Sequence, residues 1–343
     1  MNICGICQNT SGNKKYVFRE MMLGTRDEFD YFACAYCGCL QITNIPEDMA
    51  RYYPDTYYSL QPQKNKKISP LKKFLKKQRL QYCLGESNFT KKILTKFYKP
   101  PQYFEWFNGL NLTTASKILD VGCGSGDLLL SMHKEGFTNL TGVDPFIAQD
   151  IHHENNITIH KCDIAELQSQ FDCIMMHHSF EHAANPLVLL TKIKEALADN
   201  GRILLRIPLC DSYAWRTYGE HWVQLDAPRH FFLHTQKSMS LLANKAGLRI
   251  TKIVYDSNEF QFLGSEQYKQ DIPLNASRSF TNSPEKTIFT KEKITEYREL
   301  AKKLNNEHNG DQACFYLALQ QNLWVPVRAD GRVDRLKSFP DGG

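Results

Sequence analysis

Two acids bracket a run of glycines in Lys117-Ile118-Leu119-Asp120-Val121-Gly122-Cys123-Gly124-Ser125-Gly126-Asp127. Glycines let the backbone approach a ligand that side chains would hold off. The spacing is G-x-G-x-G, not the G-x-G-x-x-G that seats a pyrophosphate on a helix N-terminus, and Asp120 and Asp127 would repel a phosphate. Two carboxylates suit a ligand with an ammonium and a sulfonium and no phosphate, namely S-adenosylmethionine. Its expected contacts here are Asp120, Gly122, Cys123, Gly124 and Gly126. About 20 positions past the glycines stands Asp144-Pro145, where an acid grips a ribose diol. Asp163-Ile164 offers an acceptor to an adenine amino group, and His177 is expected at the cofactor edge.

Sulfur forms a second set. Cys4-x-x-Cys7 and Cys34-x-x-Cys37-x-Cys39 have the paired spacing that brings four thiolates around one tetrahedral ion, so Cys4, Cys7, Cys34 and Cys37 are expected to hold Zn2+. Four sulfurs leave no open position for water, which makes the zinc structural. Cys39 is a spare or alternate ligand. The remaining six of the 11 cysteines stand singly, the pattern of a reduced, intracellular chain.

These residues need elements to position them. Lys117–Val121 reads as a buried strand and Asp127–Glu135 as the helix after the glycines. Asn139–Val143, residues 157–161, Phe171–His177 and residues 201–207 read as four further strands, and 249–255 as a sixth. Their carboxyl ends gather Asp120, Asp144 and Asp163 into one crevice. Helices are expected over 186–198, closed by Asn200-Gly201, and over 236–246, closed by Gly247. Residues 291–304 read as a polar-faced helix and 313–319 as a buried strand. Tyr16-Val17-Phe18-Arg19 and Glu28-Phe29-Asp30-Tyr31-Phe32 alternate like a small hairpin between the cysteine pairs.

Through ILDVGCGSG, GVDP, CDI and FDCIMMHHSFEH, over roughly residues 117–256, the chain resembles the class I S-adenosylmethionine-dependent methyltransferases. The resemblance implies an α/β, Rossmann-like sheet of seven strands with the last antiparallel, for which 313–319 is the candidate. With the N-terminal knuckles, Tyr52-Tyr53-Pro54-Asp55-Thr56-Tyr57-Tyr58-Ser59 and residues 218–235, the chain looks like zinc-ribbon methyltransferases among bacterial surface-polysaccharide and sugar-modifying enzymes. In related sugar C-methyltransferases a Glu-His pair stands before the helix at 236 and its His is the base. Here the pair is Arg229-His230, so O-methylation and C-methylation both stay open.

Methyl transfer from a sulfonium chiefly needs alignment, and a hydroxyl or carbon acid must also lose a proton. Histidine, with an ordinary pKa near ~6.5, fits that task. His177, His178 and His182 follow the strand Phe171–His177, and His221, His230 and His234 lie between residue 207 and the helix at 236. His230 is the expected base and His182 a second candidate. Residues 218–235 are too dense in aromatic and charged groups for an ordinary connection and are expected as a substrate loop over the crevice.

The length of 343 residues allows about two domains. Expected divisions are 1–60, zinc ribbon; 61–105, basic helical linker; 106–325, methyltransferase domain; and 326–343, polar tail. The net charge of +5 is concentrated in eight basic residues between Lys64 and Arg79. Leu71, Phe74, Leu75 and Tyr82 lie there at helical spacing, which points to an amphipathic helix with weak membrane-surface contact as one role. No apolar run suits a transmembrane segment and the first residues do not form a signal peptide, so the expected location is cytoplasmic. The expected acceptor is a small molecule or glycan. Nucleic acid is not the expected partner, since the basic run is confined to the linker; an RNA methyltransferase and a non-catalytic scaffold are the rival readings.

Overall fold

The computed structural model describes residues 2–54, 69–85, 98–153 and 157–320. Its strands are β1 (Lys14–Arg19), β2 (Glu28–Ala33), β3 (Leu40–Ile42), β4 (Lys117–Val121), β5 (Asn139–Val143), β6 (Ile151–His153), β7 (Ile157–His160), β8 (Phe171–His177), β9 (Leu197–Pro208), β10 (Phe232–Leu233), β11 (Leu248–Tyr255) and β12 (Gln312–Leu319). The larger sheet runs β11-β12-β9-β8-β4-β5-β7-β6 and the smaller β1-β2-β3-β10.

The larger sheet is the expected Rossmann-like one. β4 pairs in parallel with β5 and β8, and β12 lies antiparallel between β9 and β11. It has eight strands where seven were expected, because the short β6 folds back antiparallel on the edge of β7. β4 is buried after its first residue since both faces of the sheet are covered: Ile118 and Leu119, each 0% exposed, face opposite apolar cores. Each such side chain contributes about 1.5–3 kcal/mol by leaving water. β4 neighbours β5 on one side and β8 on the other, so the crevice opens where the strand order reverses.

The small sheet begins as the expected hairpin, with Tyr16 opposite Tyr31. Its fourth strand comes from far along the chain, where Phe232 pairs with Gln41. The Thr235 hydroxyl donates to the Cys37 carbonyl (2.6 Å) and the Tyr31 hydroxyl to the His230 carbonyl (2.9 Å). Residues 218–235 are tied down between the sheets, and Val223, Gln224, Asp226 and His230 among them reach the wall of a cavity. They are a packed joint, with Trp222, Arg229 and His234 all at 0% exposure and the Trp222 indole donating to Asp311 (3.0 Å). Their aromatic and charged density is that of a buried connection between two sheets.

Other expectations need correction. The helix from Pro186 ends at Glu195 instead of 198, because the Phe171 amide donates to the Ala196 carbonyl (3.0 Å) and draws Leu197 into the sheet, leaving Asn200-Gly201 inside β9. The basic helix Pro70–Cys83 does not bury the expected stripe: Leu71 and Phe74 are 69% and 58% exposed. It docks through Leu80 and Arg79, whose guanidinium meets the buried Glu135 of the helix Asp127–Glu135, and a buried carboxylate requires such a cation. A helix at Phe260–Lys269 was not expected; it buries Gln261, Ser265 and Gln267, which hide its apolar face in the sequence. Tyr57, Tyr58, residues 61–68 and 86–97 of the linker, and the tail 326–343 lie outside the described residues. No described helix is long and apolar enough to cross a membrane.

Candidate functional site

At the end of β4 the chain turns over Gly122, at φ 73°, and its amide donates to the Val143 carbonyl of β5 (2.8 Å). A Cβ on Gly122 would sit 2.5 Å from the Ser179 Cβ, and one on Gly126 2.6 Å from the Ile159 Cδ1. Neither position admits a side chain, so the loop stays a backbone cradle. Asp144, at the end of β5, accepts from the Gly124 amide through one oxygen (2.8 Å) and from the Phe146 amide through the other (2.9 Å). Pro145 is exposed beside it and Cys123 is half-buried in the loop.

Asp120 lies buried at the end of β4. Burial and then the Asp144 charge push its carboxyl up to about 8. Among the described residues no ion pair reaches Asp120 or Asp144. Two neighbouring carboxyl groups in that state favour a ligand that brings positive charge, and the residues present fit S-adenosylmethionine. Asp163 caps a short turn whose Ile164 is buried: one oxygen accepts from the Ala165 amide (2.9 Å) and the other meets Lys192 (2.8 Å). His177 stacks on Trp106 with ring centroids 4.4 Å apart. Burial first, then Arg206, holds its imidazole well below the usual range.

On the other side of the crevice β8 is followed by His178, at φ 52°, and then by Glu181 and His182. Asp226, at φ 38°, and His230 approach from the packed joint. Left-handed backbone at two non-glycine residues lining one cavity is strain of the kind found at functional sites. The cavity has about 380 Å³, and His178, His182, Gln224, Asp226 and His230 contribute to its wall. A cavity of about 670 Å³ adjoins it across Phe260, toward Trp106 and Asp256.

The structure thus brings both expected catalytic histidines together, with their rings edge to face and centroids 4.9 Å apart. His230 Nδ1 lies 2.7 Å from the Gln224 carbonyl and His182 Nδ1 2.8 Å from the Arg229 carbonyl. A carbonyl only accepts, so Nδ1 carries the proton in each ring and the lone pair sits on Nε2. His230 Nε2 is 3.8 Å from both Glu181 and Asp226. Burial pushes the His230 imidazole down to about 4, against the pull of Asp226 and Glu181. Burial also pushes the Glu181 carboxyl up, but His178 with His230 and His182 outweighs it and brings the group to about 2. His221 and His234 do not join the cavity wall: His221 pairs loosely with Glu220, and His234 packs on Phe180.

Arg229, which stands where the sugar C-methyltransferases carry Glu, is fully buried and bound to Asp226 (2.6 Å) and Glu20 (2.8 Å). Two carboxylates flank His230 instead, Glu181 and Asp226. Glu20 was not legible, since a lone Glu after a hairpin strand carries no signal of burial. Tyr53 was noted only within its tyrosine run, yet its hydroxyl reaches His182 (3.2 Å).

The four sulfurs of Cys4, Cys7, Cys34 and Cys37 lie within 4.8 Å of one another, with Cys4 and Cys37 at 3.6 Å and Cys7 and Cys34 at 3.4 Å. That spacing suits tetrahedral sulfur ligands at roughly 2.3 Å from one ion. Gln41 Nε2 donates to the Cys4 sulfur (3.2 Å), as a thiolate requires. Cys39 stays outside the group and turns its thiol to the Leu40 carbonyl.

Residues 77–253 match the family described as methyltransferase domain. The tRNA U34 carboxymethyltransferase of Alteromonas mediterranea is 25% identical over 154 residues, 40% of this chain and 46% of that protein, so the chain spans about half the length of the curated relative it matches. An S-adenosylmethionine-dependent methyltransferase structure from Mesorhizobium loti is 16% identical, with 63% of this chain and 96% of that one covered at a TM-score of 0.39. One from Archaeoglobus fulgidus is 19% identical, with 67% and 99% covered at 0.37. The family match takes in just over half of the 343 residues, from the basic helix through the glycine loop into β11, and on that ground the chain belongs to the methyltransferase-domain family.

Proposed function

We propose that the chain methylates a sugar or glycan, nucleotide- or lipid-linked, at a hydroxyl or carbon acid that loses its proton at the His182–His230 cluster. The supporting observation is the 380 Å³ cavity, where Gln224, Asp226, Asn275, Thr281 and Asn282 surround the two imidazoles. Such a wall of hydrogen-bonding groups suits a polyhydroxyl ring. The cofactor, held by Asp120, Gly122, Cys123, Gly124, Gly126, Asp144 and Pro145, supplies a methyl group already activated on sulfur. The chain's own residues align the acceptor, worth several kcal/mol, and remove its proton, worth roughly 10²–10⁴-fold. His230 is the residue assigned to deprotonation.

The name of the tRNA-modifying relative favours a second reading, an RNA acceptor. Transfer of tritiated methyl to pooled nucleotide sugars, surface glycans and total RNA decides between them. Label is expected in the sugar or glycan pools; label in RNA alone overturns the proposal, and no label with cofactor bound leaves a scaffold.

Two outcomes follow for the bound groups. Metal analysis should find about one zinc per chain, lost in Cys7→Ser or Cys34→Ser and kept in Cys39→Ser. Zinc retained in full by Cys7→Ser would refute the four-sulfur site. The second concerns Asp120, whose carboxyl at about 8 is mostly protonated at pH 7. A cationic cofactor favours the ionised form, so binding at pH 7 should release close to one proton, and little at pH 9 where the group is already ionised. Calorimetry in buffers of different ionisation heat measures this. Equal release from wild type and Asp120→Asn would remove Asp120 from the site.

A further inference from the structure

We infer that Glu181, His182 and His230 form a binding site for a divalent transition-metal cation, separate from the four-sulfur group and facing the acceptor cavity. A ring nitrogen of each histidine and a carboxylate oxygen of Glu181 lie within 4.8 Å of one another. Both histidines commit Nδ1–H to backbone carbonyls, those of Arg229 and Gln224. This is the arrangement that orients a metal-binding imidazole and leaves its Nε2 lone pair for the ion. The third member needs a cation even more. Glu181 is 0% exposed, and its nearest donor among the described residues is the Nδ1–H of His178, a long 3.4 Å from Oε1.

The neighbouring protein cations are engaged elsewhere. The Arg229 guanidinium binds Asp226 and Glu20, and Arg206 binds Asp256 and His178 Nε2. Among the described residues Glu181 is approached only by imidazoles, His178 Nδ1 at 3.4 Å and His230 Nε2 at 3.8 Å. The latter is too long for a hydrogen bond. His230 Nε2 lies 3.8 Å from the buried Glu181 carboxylate with a ring nitrogen of His182 within 4.8 Å of both, and a cation among them would offset the buried negative charge. Two imidazoles and one carboxylate are a donor set for Zn2+, Fe2+, Co2+ or Mn2+, and a poor one for Mg2+, which takes oxygen ligands.

The proposal rests on the reading of this cluster as the place where the acceptor loses its proton, and changes the agent. A cation with open positions toward the 380 Å³ cavity acidifies an acceptor hydroxyl that meets it, and the proton leaves to water. As the C–S bond breaks with its electron pair leaving on sulfur, the acceptor oxygen forms the new C–O bond. His182 and His230 then act as ligands and Glu181 as the charge that holds the ion.

The test adds Co2+ to the full chain with its ribbon zinc in place. One further equivalent is expected, with the visible absorption of a nitrogen- and oxygen-bound ion and no thiolate charge-transfer band. His182→Ala should lose that equivalent while keeping the zinc, which reports that the ribbon remains folded; His221→Ala, outside the cavity, should keep both. Failure of Co2+ to bind beyond the zinc, or an unchanged spectrum in His182→Ala, overturns the inference. Methyl transfer separates it from the reading beneath. No second ion together with a dead His230→Ala enzyme leaves imidazole itself as the base and sinks only the cation. A second ion together with normal transfer by His230→Ala supports the cation site and refutes the cluster as the place of deprotonation.

Discussion

Replacing His230 by Ala is expected to lower methyl-transfer turnover by about 10²-fold or more while S-adenosylmethionine affinity stays unchanged. The separation follows from the layout. The cofactor residues hang on the ends of β4 and β5, whereas His230 enters from the joint between the two sheets, with its ring fixed at Nδ1 by the Gln224 carbonyl (2.7 Å). An interaction needed mainly when the acceptor loses its proton lowers turnover and spares cofactor binding. If imidazole itself is the base, His182→Ala should be milder, because His182 is half-buried and flanks His230; if the cation acts, the two variants should fall together. His230 sits in a buried setting, so turnover must be measured on protein with an unchanged unfolding midpoint, and His230→Gln provides a second variant of closer shape. Normal turnover in folded protein from both variants would make this histidine structural.

Arg229→Met is expected to destabilise the fold by about 3–5 kcal/mol, among the largest losses for any single substitution here. Arg229 is 0% exposed. It binds Asp226 through two bonds of 2.6 and 2.9 Å, Glu20 at 2.8 Å and the Tyr52 carbonyl at 3.3 Å. Taking it away leaves two carboxylates in low dielectric without their counter-ion. Arg229→Lys should recover little, since an ammonium cannot span the forked geometry. Urea unfolding measures both. The double variant Arg229→Met with Glu20→Gln should lose less than the sum of the two single changes, because the second removes one of the stranded charges. A loss near zero in Arg229→Met would mean that water reaches the cluster.

The parts legible in the sequence are those where one local rule decides. Lys117–Val121 is apolar because the sheet covers it on both faces, and its end is marked by glycines that only a tight cradle requires. The cysteine pairs announce themselves because no other common structure needs that spacing. The failures arose where a polar residue is buried by a distant partner. Arg79 docks the basic helix while Leu71 and Phe74 stay in water, because Glu135 sits on another element and its need for a cation has no local trace. Glu20 escaped notice for the same reason, its partner Arg229 lying 209 residues away. His230 lies on the cavity wall with Glu181 and Asp226 each 3.8 Å from its Nε2, and that pairing with Glu181 comes from a distant segment and has no local trace in the sequence.

The strand β10 gives the small sheet a long wait during synthesis. The cysteine knuckles and β1 to β3 leave the ribosome first, yet the outer edge of β3 has no partner until Phe232 and Leu233 emerge, and the Tyr31 hydroxyl meets a carbonyl 199 residues further on. Until then β3 is an open edge, able to pair with another nascent chain. Metal captured early by the four sulfurs would hold the ribbon together through this interval, so scarcity of zinc during growth should lower the yield of soluble protein.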